Sequence, residues 1–183
     1  MSRAFVKEDA NNLPEELPER QVSALPNYVT PQGRADLESR LARLIETRKT
    51  LMARKSDDPL QGQQLRLLER DLRYYERRLK SVIIIDNSGS GAGEARFGAL
   101  VTVKDDAGAA QEFAIVGEDE ADAAAGRISW ASPLAAALLG ARPGALVSIA
   151  RGSGETRLEI TALRYPEKAT PKAEKGAEKE PER

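Results

Sequence analysis

Apolar residues recur at heptad spacing along two consecutive stretches of the chain. In both stretches the steps alternate between three and four residues, at Leu37, Leu41, Leu44, Arg48 and Leu51 and then at Leu65, Leu68, Leu72, Tyr75 and Leu79. This spacing is typical of a coiled-coil seam, and Arg48 is its one charged exception. The two sets are mirror images about residue 58, so every seam position gains a partner if the chain folds back there. The sequence therefore predicts an antiparallel two-helix hairpin, with helices near residues 31–54 and 59–82.

The turn of this hairpin carries two adjacent acids, Asp57 and Asp58, followed by Pro59. Proline disfavours helix in the preceding residue but suits the first position of the next helix. We therefore expect the hairpin to present two carboxylates at its tip. Arg48 lies near this tip, and two interpretations of it stay open. It either covers Leu68 with its aliphatic stem while its charge stays in water, or it holds its charge beside the tip acids or a phosphate.

Short strand patterns follow the hairpin. A β-rich run at residues 83–86 precedes further strand-like segments at 100–104, 112–116, 127–130, 145–151 and 156–164. One helix is predicted among them, with Ser132 as its cap, Pro133 at its first position and Gly140 at its end. The whole chain is thus predicted to be α+β, a helical hairpin followed by a small antiparallel sheet with one packed helix.

The remaining segments are polar. Residues 117–122 form an acidic stretch that contains Asp119 and Glu120, and without calcium-loop spacing it is predicted to be a solvated turn. Residues 1–28 contain three prolines and predict an extended or disordered arm. Residues 166–183 are rich in Lys, Glu, Ala and Pro and predict a disordered charged tail. The hairpin then occupies residues 29–82 and the sheet domain residues 83–165.

Composition and charge exclude some classes of function and leave others open. The 183 residues include no cysteine and no histidine, which excludes disulfides and any Cys or His chemistry. Residues 34–80 carry 13 basic and 8 acidic side chains, whereas residues 86–165 carry 7 and 11. The basic hairpin permits contact with RNA or DNA phosphates, although a solvated coiled coil has the same appearance. No apolar run is long enough for a membrane span, and the seam is used internally, so we expect a cytoplasmic monomer.

A series of short motifs in the C-terminal half resembles the GreA/GreB family of bacterial transcription elongation factors. In order, the motifs are Arg96-Phe97-Gly98, Ile115 through Asp122 (IVGEDEAD), Ile128-Ser129, Ser132-Pro133-Leu134-Ala135 and Ala137-Leu138-Leu139-Gly140. With the hairpin before them, the resemblance covers about residues 28–165. It implies an FKBP-like C-terminal domain that binds RNA polymerase at the mouth of its secondary channel. The residues it points to for partner binding are Ser132, Pro133, Leu134, Asp119 and Glu120.

The resemblance also implies a role for the hairpin tip. In the family the coiled coil enters the channel, and acidic tip residues help to hold Mg²⁺ and a water beside the polymerase active site. Cleavage of backtracked RNA is thereby stimulated, because a held metal ion lowers the pKa of its bound water. Asp57 and Asp58 are then catalytic and metal-binding candidates only within a polymerase complex. The chain alone is expected to have no cofactor and no enzyme activity, and its few aromatic residues give no support for prolyl isomerase activity.

Two departures from the family pattern affect that role. The family tip usually reads Gly-Asp-x-x-Glu-Asn-Ala-Glu/Asp-Tyr, whereas this chain reads SDDPLQG over residues 56–62. The hairpin also looks about two heptads shorter, one from each arm, which removes about 10 Å of reach. In length it is similar to the Rnk-type regulators of nucleoside diphosphate kinase.

Several functions therefore stay open. They are a secondary-channel regulator with weak or no cleavage stimulation, a genuine cleavage factor that uses Asp57 and Asp58, and a polymerase-independent protein regulator of the nucleoside diphosphate kinase regulator type. A free nucleic-acid-binding module is a further class, but no base-reading motif is visible.

Overall fold

The computed structural model describes residues 17–54, 59–91, 93–151 and 154–167. It divides into two compact units. The helical unit contains the described residues up to Asn27 together with Ala35–Val82, and the sheet unit contains Tyr28–Arg34 and the described residues from Ile83 onward. None of the helices in the described ranges combines the length and the apolar character that crossing a bilayer requires.

Two helices form most of the helical unit. Helix α1 spans Pro31–Ala53 and helix α2 spans Pro59–Lys80, close to the predicted bounds. Each begins at a proline, whose missing N–H is not needed in the first turn. The leucines of the predicted seam are buried or half-buried, and Leu37, Leu68 and Leu72 are the most enclosed.

Arg48 is the exception within this seam, as its charge predicts. Its side chain is 46% exposed, and its Nε lies 3.5 Å from Oε1 of Glu69 on α2. The guanidinium is therefore solvated and paired with a neighbouring helix residue. Asp57 and Asp58, the other partners considered for it, lie outside the described residues.

The turn of the hairpin is closed by a side chain of α2. Nε2 of Gln61 donates hydrogen bonds to the carbonyl oxygens of Leu51, at 2.6 Å, and Arg54, at 2.9 Å. The last carbonyls of a helix have no partner within it, so this amide caps the C-terminal end of α1.

Residues 17–27, hereafter the arm segment, adopt no helix or strand but are bound to α2. Glu19 pairs with Arg73, and Arg20 pairs with Asp71. At the other end Asn27 is buried, and its Nδ2 donates to the carbonyl of Arg78 at 2.8 Å. This part of the expected arm is therefore extended and attached.

The sheet unit contains a two-stranded sheet that the sequence did not reveal. Strand β1 spans Tyr28–Val29 and pairs in parallel with strand β2, Ile83–Ile84. The N–H of Ile85 extends the pairing by donating to the carbonyl of Val29 at 2.9 Å. The strand expected at residues 83–86 exists, but its partner comes from the segment before α1.

The main sheet has five strands in the order β5-β4-β3-β7-β6. They are β3 (Leu100–Asp105), β4 (Ala110–Val116), β5 (Arg127–Ser129), β6 (Leu146–Arg151) and β7 (Gly154–Arg164). The prediction of a purely antiparallel sheet is wrong at one edge, because β5 pairs in parallel with β4. Residues 117–126, with two 3₁₀ turns, are long enough to carry the chain back to the same end of the sheet.

The core of this unit is aliphatic, as the low aromatic content predicts. Helix α3, Pro133–Leu138, packs Ala135 and Leu138 against buried residues of the sheet such as Val101, Ile115 and Ile160. The predicted cap is confirmed, since Oγ of Ser132 accepts a hydrogen bond from the N–H of Ala135 at 3.2 Å.

Candidate functional site

The candidate docking segment runs from the end of β5 into α3. Its backbone is held locally, because the N–H of Ser132 donates to the carbonyl of Ser129 at 2.9 Å. Pro133 is exposed, whereas Leu134 is half-buried against the core. The Ser132 hydroxyl is used as the helix cap, so the surface that a partner would contact is provided mainly by Pro133 and the outer part of Leu134.

Aromatic side chains support the start of this segment. The ring of Trp130 lies 5.0 Å from the ring of Tyr28, which in turn lies 6.2 Å from the ring of Phe97. The N–H of Trp130 donates to the carbonyl of Val116 at 2.8 Å. Sequence analysis missed Tyr28 here, because it is about one hundred residues away along the chain and shares no periodic pattern with its partners.

The acidic stretch forms a 3₁₀ turn at Glu118–Glu120 and is not uniformly solvated. Oε1 of Glu120 accepts hydrogen bonds from the N–H of Thr30 at 2.9 Å and of Gly117 at 3.2 Å. Its Oε2 accepts a hydrogen bond from the Thr30 hydroxyl at 2.5 Å. The prediction of a solvated turn is therefore wrong for Glu120, since three donors compensate its carboxylate for the lost water.

Two glycines make room for this carboxylate and the backbone beside it. A Cβ added to Gly33 would collide with the Glu120 carboxylate, and one added to Gly117 would collide with the carbonyl oxygen of Tyr28. The Thr30 hydroxyl also accepts a hydrogen bond from the N–H of Gly33 at 2.9 Å and so caps the N-terminal end of α1. We call Thr30, Gly33, Gly117 and Glu120 the carboxylate clasp.

The clasp and the docking segment lie on neighbouring elements. Strand β5, which leads into the docking segment, contacts the 3₁₀ turn that carries Asp119 and Glu120. Asp119 is half-buried in that turn. The structure thus brings the five predicted partner-binding residues to adjacent elements of one unit, with Ser132 and Glu120 holding the backbone.

The geometry of the predicted tip acids is not described, because Asp57 and Asp58 lie outside the described residues. The described residues on either side of them are largely apolar at the surface, as in the exposed Met52 and Leu60. Across the described ranges, no cluster of three or more acidic side chains is arranged to hold a metal ion. The Mg²⁺ role of the tip stays a prediction.

Comparison with known proteins gives matches along most of the chain. Residues 90–165 match the family model described as transcription elongation factor GreA/GreB, C-terminal. Over 153 residues the chain is 31% identical to transcription elongation factor GreB of Neisseria meningitidis serogroup B, covering 76% of this chain and 94% of that protein. It is 34% identical over 155 residues to transcription elongation factor GreA of Chloroflexus aggregans, covering 76% and 98% respectively.

A solved GreA/GreB structure from Nitrosomonas europaea matches 75% of this chain and 98% of its own, with 18% identity and a TM-score of 0.39. The family assignment depends on the two sequence relatives, each above 30% identity and covered almost from end to end. The chain belongs to the GreA/GreB family of transcription elongation factors.

Proposed function

We propose that this protein binds RNA polymerase at its secondary channel and regulates elongation with weak or no stimulation of transcript cleavage. The observation that supports the proposal is a C-terminal domain that matches the family model, joined to a short hairpin whose tip sequence differs from the family pattern. The protein would act through the polymerase and carry out no reaction alone. Any Mg²⁺ in the cleavage reaction would be held jointly with the polymerase.

The length of the hairpin supports the regulatory role. Helix α1 has 23 residues and α2 has 22, so each arm is about 34 Å long at about 1.5 Å per residue. A loss of about 10 Å of reach is large beside a metal–oxygen distance of about 2 Å.

The chemistry of the tip supports the same role. The first turn of α2 carries Leu60 and Gln61 where the family pattern has Glu and Asn. The amide of Gln61 is used to close the hairpin, and Leu60 is exposed. Any carboxylate offered at the tip must therefore come from Asp57 or Asp58.

Docking is proposed to use the segment from Ser132 to Leu134 together with Asp119. Pro133 and Leu134 provide the apolar surface, and Ser132 holds the first turn of α3 in place. Glu120 is proposed to support this surface through the clasp, because both of its carboxylate oxygens already accept hydrogen bonds.

Two alternatives are each favoured by one observation. The adjacent acids Asp57 and Asp58 favour a genuine cleavage factor that shares Mg²⁺ with the polymerase. The short hairpin favours a polymerase-independent protein regulator of the nucleoside diphosphate kinase regulator type.

The deciding experiment measures cleavage of backtracked RNA in stalled elongation complexes, with polymerase binding measured in the same samples. Binding with little cleavage is the expected result. Strong cleavage that disappears in an Asp57→Asn, Asp58→Asn variant would establish the cleavage factor instead. Failure to bind polymerase, or to compete with an authentic cleavage factor, would favour the polymerase-independent regulator.

A further inference from the structure

The sheet unit has an open cavity of about 640 Å³ whose walls come from three separate segments. Glu94 and Arg96 belong to the segment before β3, Arg142 belongs to the connection from α3 to β6, and Tyr165 directly follows β7. Ser90 and two glycines complete the lining. The volume is within the range of small-molecule sites, about 300–1,000 Å³. The cavity shares no residue with the docking segment or the carboxylate clasp.

Backbone hydrogen bonds hold two of these segments together. The N–H of Ala95 donates to the carbonyl of Ala141 at 2.8 Å, and the N–H of Gly140 donates to the carbonyl of Ala95 at 2.7 Å. Arg96 directly follows Ala95, and Arg142 directly follows Ala141. The fold thus brings two arginines from distant parts of the chain to the same cavity.

The charges of the cavity favour an anion. Arg96 donates from Nε, at 3.0 Å, and from Nη2, at 2.9 Å, to a single oxygen of Glu94, Oε1. Arg142 is exposed and makes no ion pair with any described residue. The lining therefore has two positive charges and one negative charge, although residues 86–165 as a whole carry 7 basic and 11 acidic side chains.

An aromatic ring is fixed beside these charges. The Tyr165 hydroxyl donates to the carbonyl of Glu94 at 2.7 Å and accepts from the N–H of Arg96 at 3.1 Å. These two hydrogen bonds restrict the orientation of the ring. Oε2 of Glu94 has no donor among the described residues, so it is available to accept a hydrogen bond from a ligand hydroxyl or amino group.

The glycine-rich sequence NSGSGAG at residues 87–93 is not a phosphate loop, because it lacks the Lys-Ser/Thr that such a loop requires. Two hydrogen bonds attach its first residues to the sheet unit. Nδ2 of Asn87 donates to the carbonyl of Phe97, and the N–H of Gly89 donates to the carbonyl of Pro166, each at 3.0 Å. Positive charge for a phosphate group must therefore come from the two arginines.

We propose that this cavity binds a nucleotide through its phosphates, with Arg142 as the principal phosphate ligand and Arg96 beside it. Arginine suits this role because its planar donors match phosphate oxygens in pairs and its charge is permanent. The Tyr165 ring contacts the base or the ribose, and Glu94 accepts from a hydroxyl or amino group of the nucleoside. An aromatic ring and a carboxylate beside the arginines favour a nucleotide over inorganic phosphate. This inference does not depend on polymerase docking.

The test titrates the full chain with ADP and with GDP by isothermal titration calorimetry at low salt. Arg142→Gln should weaken nucleotide binding by about tenfold, because a charged side chain that donates to phosphate is lost. Arg157→Gln is the matched control, since Arg157 is an exposed arginine on β7 of the same unit and does not line the cavity. An equal loss in both variants, or no binding of either nucleotide by the wild-type chain, would overturn the proposal.

Sodium pyrophosphate distinguishes a nucleotide site from a simple anion site, because it carries the phosphates without the nucleoside. It should bind about fivefold more weakly than ADP, as expected for the loss of stacking on an aromatic ring. Equal affinity for pyrophosphate and ADP would overturn the assignment to a nucleotide.

A second variant tests the glycine side of the cavity. A Cβ added to Gly91 meets no heavy atom within 4 Å, so Gly91→Asp should fold normally. Its carboxylate at the lining should weaken binding of both ADP and pyrophosphate by about fivefold through repulsion of the phosphates. Unchanged binding in this variant would place the anion elsewhere and contradict the proposed site.

Discussion

The chain holds two glutamates in contrasting ways, Glu120 in the carboxylate clasp and Glu19 against Arg73 of α2. Glu120 accepts hydrogen bonds from backbone N–H groups and a hydroxyl, in a space that two glycines keep open. Glu19 pairs with an arginine side chain at the surface. All three donors of the clasp already bind the Glu120 carboxylate, in a space that Gly33 and Gly117 keep open. The Arg73 guanidinium is an exposed side chain, so ions from the solvent can compete with Glu19 for it.

The largest effect is expected where the clasp has no spare volume. Gly117→Ala should lower the free energy of unfolding of the sheet unit by about 3 kcal/mol, since its Cβ collides with the Tyr28 carbonyl. Trp130, the only tryptophan, reports this unfolding by fluorescence during denaturant titration. Gly62→Ala is the control, because its Cβ meets nothing closer than 3.7 Å and alanine favours the helix. Equal destabilisation by both variants would contradict the collision.

Removal of the clasp carboxylate should have the next largest effect. Glu120→Ala should cost about 2 kcal/mol, because the N–H groups of Thr30 and Gly117 lose their acceptor. Glu120→Gln should fall between alanine and the wild type, since one oxygen can still accept. The same fluorescence titration measures both variants. Glu159→Ala, at an exposed position on β7, should stay within about 0.5 kcal/mol; a Glu120→Ala result in that range would mean that the clasp does not stabilise the unit.

A substitution at the buried end of the arm segment should have an intermediate effect on stability. Asn27→Ala removes two hydrogen bonds to the C-terminal end of α2 and should cost about 1 kcal/mol. Amide hydrogen exchange across residues 17–27 should become faster throughout. Gln21→Ala, at an exposed arm position, should leave the exchange unchanged. Unchanged exchange in the Asn27 variant would mean that these hydrogen bonds do not hold the arm segment on α2.

The smallest effect is expected from pH at Glu19. The hydrogen bond from Arg73 lowers the pKa of Glu19, so this contact is fully present above the ordinary glutamate value of about 4.3 and is lost as the pH falls through the lower folded value. A spin label at Val22→Cys should therefore become more mobile below that range. The transition should vanish in Glu19→Gln, and its persistence there would assign it to another group.

The sequence predicted most of the repeating structure, because period and capping are local properties. The helices begin at Pro31 and Pro59 as expected, and the five strands of the main sheet lie close to their predicted positions. The family that the sequence motifs resemble is confirmed by the relatives at 31% and 34% identity.

What the sequence did not reveal are contacts between distant residues. The two-residue strands β1 and β2 are too short to show a period, and the parallel direction of β5 depends on the path of the preceding connection. The roles of Glu120 and Glu19 depend on partners that lie 90 and 54 residues away. An acidic residue in a polar stretch looks solvated until the donors that surround it are known.

The amide of Gln61 also has a consequence for how hairpin length can change. It closes the hairpin through Leu51 and Arg54, which are set by their distance from the turn rather than from the base. Seven residues added to each arm would keep both the seam and this closure, and would move the tip outward by about 10 Å. We therefore expect the hairpin to tolerate the insertion of one heptad in each arm. A chain lengthened in this way would separate the effect of hairpin reach from the effect of tip chemistry.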